Sequence, residues 1–107
     1  MKIKSVTFDK DQNGEIQFKN NRVILYLDME KGGTVLLFCE VNPDEHTIKA
    51  NNVSHKGLWC PCCHTRNTST CPSLYSKKNT LLREAYDFIE QHSDTKFSTL
   101  TGPLQAI

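Results

Sequence analysis

Alternation of apolar and polar residues marks the start of the chain as a pair of β-strands. Residues Lys2 to Phe8 alternate, and Asn13-Gly14 follows them as a turn signal. A second strand is predicted from Glu15 to Phe18 and is ended by Asn20-Asn21. The first 20 residues therefore predict two short strands joined by a turn.

The strongest pattern is a pair of strands, Arg22 to Met29 and Thr34 to Val41, with Gly32-Gly33 in the turn between them. Glycine adopts the positive φ angles that tight hairpins need, so the two strands are predicted to pair directly. Apolar residues occupy both faces of each strand, which is typical of central strands covered on both sides. A turn at Asn42-Pro43-Asp44 and a weaker strand around His46 to Lys49 complete the series.

One amphipathic helix is predicted near the end of the chain. Its apolar residues recur at helical spacing and are Leu81, Leu82, Ala85, Phe88 and Ile89. Asn79 or Thr80 is the expected N-cap, since either side chain can accept a bond from a free backbone N–H. The outer face carries Glu84, Asp87 and Glu90. We expect the apolar face to cover one side of the sheet.

These elements predict an α+β fold in a single domain, because a chain of 107 residues has room for one hydrophobic core. The domain comprises an antiparallel β-meander of about five strands over 1–53, a Cys-rich loop over 54–78, a helix over 79–92 packed on the sheet, and a tail over 93–107. The tail is expected either to add an edge strand near Phe97 to Leu100 or to stay mobile.

The location of the protein is predicted from two missing signals. No run approaches the roughly 18 consecutive apolar residues that a membrane helix needs. Residues Met1 to Ser5 carry charge and lead into no apolar secretory signal. We therefore expect a cytoplasmic protein without a membrane partner. The sequence gives no indication of its oligomeric state.

The Cys-rich loop contains four of the five cysteines. An odd count concentrated in one segment is not typical of a disulfide framework, so reduced thiols are expected. The run Cys60-Pro61-Cys62-Cys63 has C-P-x-C spacing, which turns two thiolates toward one metal ion. The run resembles half of a zinc ribbon. A complete ribbon would need a second knuckle with a cysteine three positions after Cys71, where Leu74 stands.

The preferred ligand set for zinc is His55, Cys60, Cys63 and Cys71. Cys62 and His64 are alternative ligands, and His92 is a more remote one. Two interpretations without a metal ion stay open, in which the clustered cysteines are ordinary loop thiols or form a redox-sensitive disulfide. The fifth cysteine, Cys39, lies in an apolar strand and is expected in the core.

A zinc site is favoured over thiols that bind no metal, because residues 54–76 show no helix or strand pattern and have little apolar content. Such a loop buries too little surface to offset its ordering entropy. A structural zinc ion can contribute roughly 10 kcal/mol or more of folding free energy in a small site. We expect zinc removal to disorder this loop and to leave the sheet intact.

The sequence argues against an enzyme. Residues 51–83 carry five basic and no acidic side chains, so the Cys-rich segment lacks the carboxylate that zinc hydrolases use to handle protons. The His-x-Glu of zinc deaminases is missing before Cys60, where His55-Lys56-Gly57 stands. No glycine-rich phosphate loop is present either.

A binding protein is therefore expected, with another protein as its partner in the manner of an inhibitor, immunity protein or adaptor. The alternative is a nucleic-acid-binding zinc module that uses the basic segment 56–83, although the net charge of +1 gives no general attraction to phosphates. The candidate binding surface consists of Lys56, Trp59, Arg66, Tyr75, Lys77, Lys78, Glu84, Asp87 and Glu90.

Overall fold

The computed structural model describes residues 2–10, 12–14, 20–66, 71–92 and 105–106. Its elements in chain order are β1 (Ile3–Phe8), β2 (Arg22–Met29), β3 (Thr34–Asn42), β4 (Thr47–His55), β5 (Trp59–Cys60), β6 (Thr65–Arg66), α1 (Pro72–Ser76), α2 (Lys78–His92) and β7 (Gln105–Ala106). The predicted α+β fold, with an antiparallel meander and a helix near the end of the chain, is confirmed.

The main sheet has the strand order β1-β2-β3-β4-β7. Strands β1 to β4 run antiparallel to their neighbours, whereas β7 pairs parallel with the start of β4. The hairpin between β2 and β3 is closed by a bond from the Met29 N–H to the Gly33 carbonyl, 3.1 Å long. Gly32 and Gly33 have φ angles of 98° and 87°, which confirms their predicted role in this turn.

Strand β4 is longer than the predicted strand around His46 to Lys49. In its pairing with β3, Cys39 faces Ala50 while Phe38 faces Asn52, so Asn51 is an extra residue in a β-bulge. The bulge shifts the inward-facing positions by one residue, and the strict two-residue alternation that identifies a strand is lost. The predicted strands at 15–18 and 97–100 lie outside the described residues.

The core lies on one face of the sheet. Helix α2 packs over this face through contacts with β1 and β4 and buries four of the five predicted apolar residues, Leu81, Leu82, Ala85 and Ile89, whereas Phe88 is half-buried. The opposite face carries half-buried residues, namely Ile24, Tyr26, Leu36 and Phe38. The central pair of strands is therefore fully covered on one side only, in contrast to the prediction of cover on both sides. Among the described residues, no helix is long and apolar enough to span a membrane.

The segment over 54–78 is not the irregular loop that the sequence predicts. It contains the end of β4, the small hairpin of β5 and β6, and the short helix α1. Two-residue strands and a helix of five residues are too short to show a periodic pattern. Helix α2 also begins before the predicted cap at Asn79 or Thr80, because the carbonyl of Lys77 already accepts a bond from the Leu81 N–H at 2.9 Å.

Candidate metal centre

The Cys hairpin, defined here as residues 59–66, holds the first two thiols of the candidate centre. Strands β5 and β6 pair Trp59 with Arg66 and Cys60 with Thr65. The turn between them closes through a bond of 2.9 Å from the His64 N–H to the Cys60 carbonyl. His64 has a φ of 56°, in the left-handed region, and so reverses the chain directly after Cys63. This turn brings the Cys60 and Cys63 side chains together.

Three thiols form a compact cluster. The Sγ atoms of Cys60, Cys63 and Cys71 all lie within 4.8 Å of one another, and those of Cys60 and Cys71 are 3.7 Å apart. Sulfurs bound tetrahedrally to one zinc ion at about 2.3 Å are about 3.8 Å from each other. All five cysteines are free thiols, so the cluster is not a disulfide. The cluster can hold a metal ion.

Helix α1 positions the third thiol. Cys71 is the N-cap residue, and its Sγ accepts a bond of 3.2 Å from the Leu74 N–H. Pro72 follows at the first helical position, where its fixed φ favours the start of a helix. Leu74 is completely buried and ties this turn to the core. Cys60 and Cys71 are also buried, whereas Cys63 is exposed. An ion in the cluster would therefore lie at the edge of the core.

Two of the clustered thiols differ in how readily they lose a proton. Burial raises the pKa of the Cys71 thiol to about 11, and the neighbouring thiol of Cys60 adds to this effect. The hydroxyl of Thr65, 3.1 Å from the Cys63 Sγ, is the main cause that lowers the pKa of Cys63. Because thiols bind metals as thiolates, an ion entering the cluster has to displace the Cys71 proton.

The predicted fourth ligand, His55, lies outside this group of three. Its ring is buried at the end of β4, with Nδ1 placed 3.0 Å from the Gly57 carbonyl. A carbonyl oxygen can only accept, so Nδ1 carries the proton and donates it. The structure thus brings together three of the four predicted ligands, and the fourth stays a prediction.

The alternative ligands occupy different surroundings. Cys62 is half-buried, and the Lys77 Nζ donates to its Sγ at 3.6 Å. His64 is exposed, with its ring centroid 6.2 Å from that of Trp59. The ring of His92 packs against that of Phe88 at the end of α2, with centroids 4.8 Å apart and the ring planes tilted by 46°. Cys39 is buried in β3, and burial raises its pKa to about 12, which confirms it as a core residue.

The β2–β3 turn packs against the Cys hairpin, a contact that the sequence does not indicate. A Cβ atom on Gly33 would lie 2.8 Å from the Pro61 Cγ and 2.9 Å from the Trp59 Cδ1. Between this turn and the hairpin is a cleft of about 580 Å³, lined by Lys2, Met29, Glu30, Lys31, Gly32, Pro61, Cys62, His64 and Lys77. Lys2, which precedes β1, the β2–β3 turn and the Cys hairpin therefore share one concave surface.

The candidate binding residues are mostly exposed. Leu58, Trp59 and Tyr75 are the large apolar residues with the greatest exposure among the described residues, at 51%, 40% and 46%. The basic residues Lys56, Arg66 and Lys77 are exposed too, whereas Lys78 is half-buried. The Nζ of Lys78 lies 4.2 Å above the centre of the Tyr75 ring. On α2, Glu84 and Asp87 are exposed and Glu90 is half-buried.

Comparison with known proteins gives no relative from which a role could be transferred. No protein-family model, curated protein or solved structure matches this chain. A functional proposal for this chain therefore depends on the geometry of the thiol cluster and on the surface around it.

Proposed function

We propose that this chain is a small, non-enzymatic binding module that uses a structural zinc ion at Cys60, Cys63 and Cys71 to present a surface to a partner protein. The observation that carries the proposal is the position of the thiol cluster. Two of its three sulfurs are buried and 3.7 Å apart, and one of them belongs to Cys60, which directly follows the exposed residues Leu58 and Trp59 in the chain. A metal ion there would fix the surface that these two side chains form.

Zinc is the metal that suits this site best. Thiolate and imidazole ligands favour zinc, which takes a tetrahedral arrangement and undergoes no redox reaction. We assign the fourth position to His55, whose Nδ1 donates to the Gly57 carbonyl at 3.0 Å. Zinc-bound histidines usually donate their second ring N–H to a carbonyl or carboxylate in this way. With His55 included, coordination takes place through Nε2.

The role of the ion is structural. Structural zinc sites have four protein ligands, whereas catalytic sites keep one position open for water and need a nearby group to handle protons. Residues 51–83 contain no carboxylate side chain that could serve as this group. Five free thiols are typical of a reducing compartment, so we place the module in the cytoplasm.

A protein partner is supported by the exposed apolar residues next to the cluster. Tryptophan, tyrosine and arginine are enriched among the residues that contribute most to protein interfaces. Trp59 is 40% exposed, and its strand partner Arg66 is exposed beside it. Binding by this surface would fit an inhibitor, an immunity protein or an adaptor.

Nucleic-acid binding is the second candidate. Two exposed aromatic rings, Trp59 and Tyr75, occur in a segment without acidic residues, which favours stacking on bases and contact with phosphates. Two features weaken this candidate. The Lys78 ammonium already lies over the Tyr75 ring, and a zinc ion with three thiolates carries a net charge of about −1.

The proposal is tested first by metal analysis combined with native mass spectrometry of untagged protein. We expect one zinc ion per chain in the wild type and in Cys62→Ser. Cys63→Ser removes the exposed thiol of the cluster, and the zinc content should fall far below one ion per chain. His55→Gln should bind zinc more weakly by at least about 10- to 100-fold, because even replacing a residue that only orients a ligand costs this much affinity. Full zinc content in Cys63→Ser would contradict the proposed centre.

The same experiment identifies the partner class when the protein is recovered from extracts of its source cells. A stoichiometric protein partner that remains after nuclease treatment and at about 0.5 M salt is the expected result, and it should be lost with Trp59→Ala. Retention of nucleic acid that disappears at this salt concentration would instead support the second candidate.

A further inference from the structure

The cleft between the β2–β3 turn and the Cys hairpin is predominantly basic. Its volume is about 580 Å³, and three lysines, Lys2, Lys31 and Lys77, line it together with His64. Glu30 is the single acidic residue in this lining. Lys2 precedes β1, Lys31 lies in the β2–β3 turn and Lys77 lies between α1 and α2, so the fold brings together charges that are far apart in sequence.

An apolar rim borders this basic cleft. The Trp59 Cδ1 lies 2.9 Å from the position of a Cβ on Gly33, and the Trp59 ring is 6.2 Å from the ring of His64. Gly33 adjoins Gly32, and both Gly32 and His64 line the cleft. Trp59 therefore stands at the edge of the cleft with 40% of its surface exposed, and the more exposed Leu58 precedes it.

We propose that this cleft binds an acidic peptide segment of the partner protein. Carboxylates of the segment pair with Lys2, Lys31 and Lys77, and one apolar side chain packs against Trp59. The inference rests on the proposed function, in which the partner is a protein, and it adds the chemistry of the segment that is recognised. Charge complementarity steers such a segment to the cleft, and the indole supplies the apolar contact.

A peptide fits this site better than a nucleic-acid strand. Single-stranded nucleic acids bind along a continuous basic groove with successive aromatic platforms. Among the described residues, Trp59 is the exposed aromatic ring at this cleft, and the Glu30 carboxylate interrupts the basic lining. An acidic peptide needs only a few ammonium groups and one apolar contact.

The test uses the zinc-loaded protein and the fluorescence of Trp59, which is the only tryptophan in the chain. The probe is a synthetic peptide of Asp and Glu with one central Phe, and its control replaces every acidic residue by the corresponding amide. We expect the acidic peptide to change the Trp59 emission saturably, with a Kd in the range of about 1–100 μM. The amide peptide should bind at least about tenfold more weakly, and added salt should weaken the acidic complex.

Charge reversal locates the binding site. Lys31→Glu should weaken binding of the acidic peptide by at least about tenfold, because an attraction becomes a repulsion inside the cleft. Lys49→Glu is the matched control. This lysine is also exposed but lies on β4 and lines a different hollow, so the same change in net charge should alter the affinity by less than about twofold.

Three results would overturn the inference. The first is an equal loss of peptide affinity in Lys31→Glu and Lys49→Glu. The second is no change in Trp59 emission on addition of the acidic peptide. The third is tighter binding of an oligothymidine probe than of the peptide. Zinc content is measured on the same samples, and the protein partner is recovered independently. If the metal and a protein partner are present while the acidic peptide fails to bind, the assignment of the cleft is wrong and the proposed function stands. If the metal is missing, the proposed function itself fails.

Discussion

At the scale of single residues, Gly33 decides how closely the β2–β3 turn approaches the Cys hairpin. Its φ of 87° is unfavourable for a side chain, and a Cβ would also lie within 3 Å of Pro61 and Trp59 side-chain atoms. Gly33→Ala therefore combines backbone strain with a steric clash, and we expect it to lower the free energy of unfolding by about 2–4 kcal/mol. Urea unfolding followed by Trp59 fluorescence measures this loss.

Gly32 supplies a matched control in the same turn. Its φ of 98° imposes a similar backbone strain, but a Cβ there meets no atom within 4 Å. Gly32→Ala should lower the free energy of unfolding by only about 1–2 kcal/mol. The difference between the two variants reports the packing of the turn on the Cys hairpin. Equal losses would show that this packing does not contribute to stability.

At the scale of secondary-structure elements, α2 stabilises the domain through its buried face. Leu82 is completely buried in this face. We expect Leu82→Ala to lower the free energy of unfolding by about 2–4 kcal/mol, because the substitution removes apolar contacts and leaves a cavity. Leu58→Ala is the control with the same chemistry at a residue that is 51% exposed, and it should change stability by no more than about 0.5 kcal/mol. Urea unfolding curves give both values, and similar losses would contradict the packing of α2 on the sheet.

The elements that sequence reasoning predicts well are those with long, regular patterns. Strand β2 and most of β3 follow from apolar stretches joined by four residues that end in two glycines, and α2 follows from its helical periodicity. Strand β4 is underestimated because the bulge at Asn51 interrupts the alternation. The short elements β5, β6 and α1 contain too few residues to produce any pattern.

The candidate site also has a part that local sequence patterns predict and a part that depends on contacts between distant segments. The C-P-x-C spacing and the nearby Cys71 suffice to predict the three clustered thiols, because a local turn and one short helix bring them together. The cleft could not be predicted, since it depends on contact between the β2–β3 turn and the Cys hairpin, which are far apart in sequence. The position of His55 relative to the thiols likewise depends on the full length of β4.

At the scale of the whole molecule, the core is distributed unevenly between the sheet and the Cys-rich segment. Of the 19 described residues that form the buried core cluster, only Cys60, Cys71 and Leu74 come from the described part of residues 56–76. The remaining core residues belong to β1 to β4 and α2, so most of the cluster lies outside the Cys-rich segment. The sheet and α2 therefore have their own source of stability, whereas under the proposed function the Cys hairpin and α1 depend on the zinc ion.

Removal of zinc should consequently unfold one part of the molecule and spare the other. With a strong chelator and a reductant present, we expect amide hydrogens in residues 59–66 and 72–76 to exchange at rates close to those of an unfolded chain, because a structural zinc ion contributes roughly 10 kcal/mol or more to small sites. Amides of β2, β3 and α2 should stay protected, since their packing is apolar. Hydrogen exchange read by mass spectrometry, with zinc added back as the control, distinguishes the two regions. Uniform loss of protection would mean that the zinc centre supports the entire fold, and unchanged protection would mean that the thiols hold no structural ion.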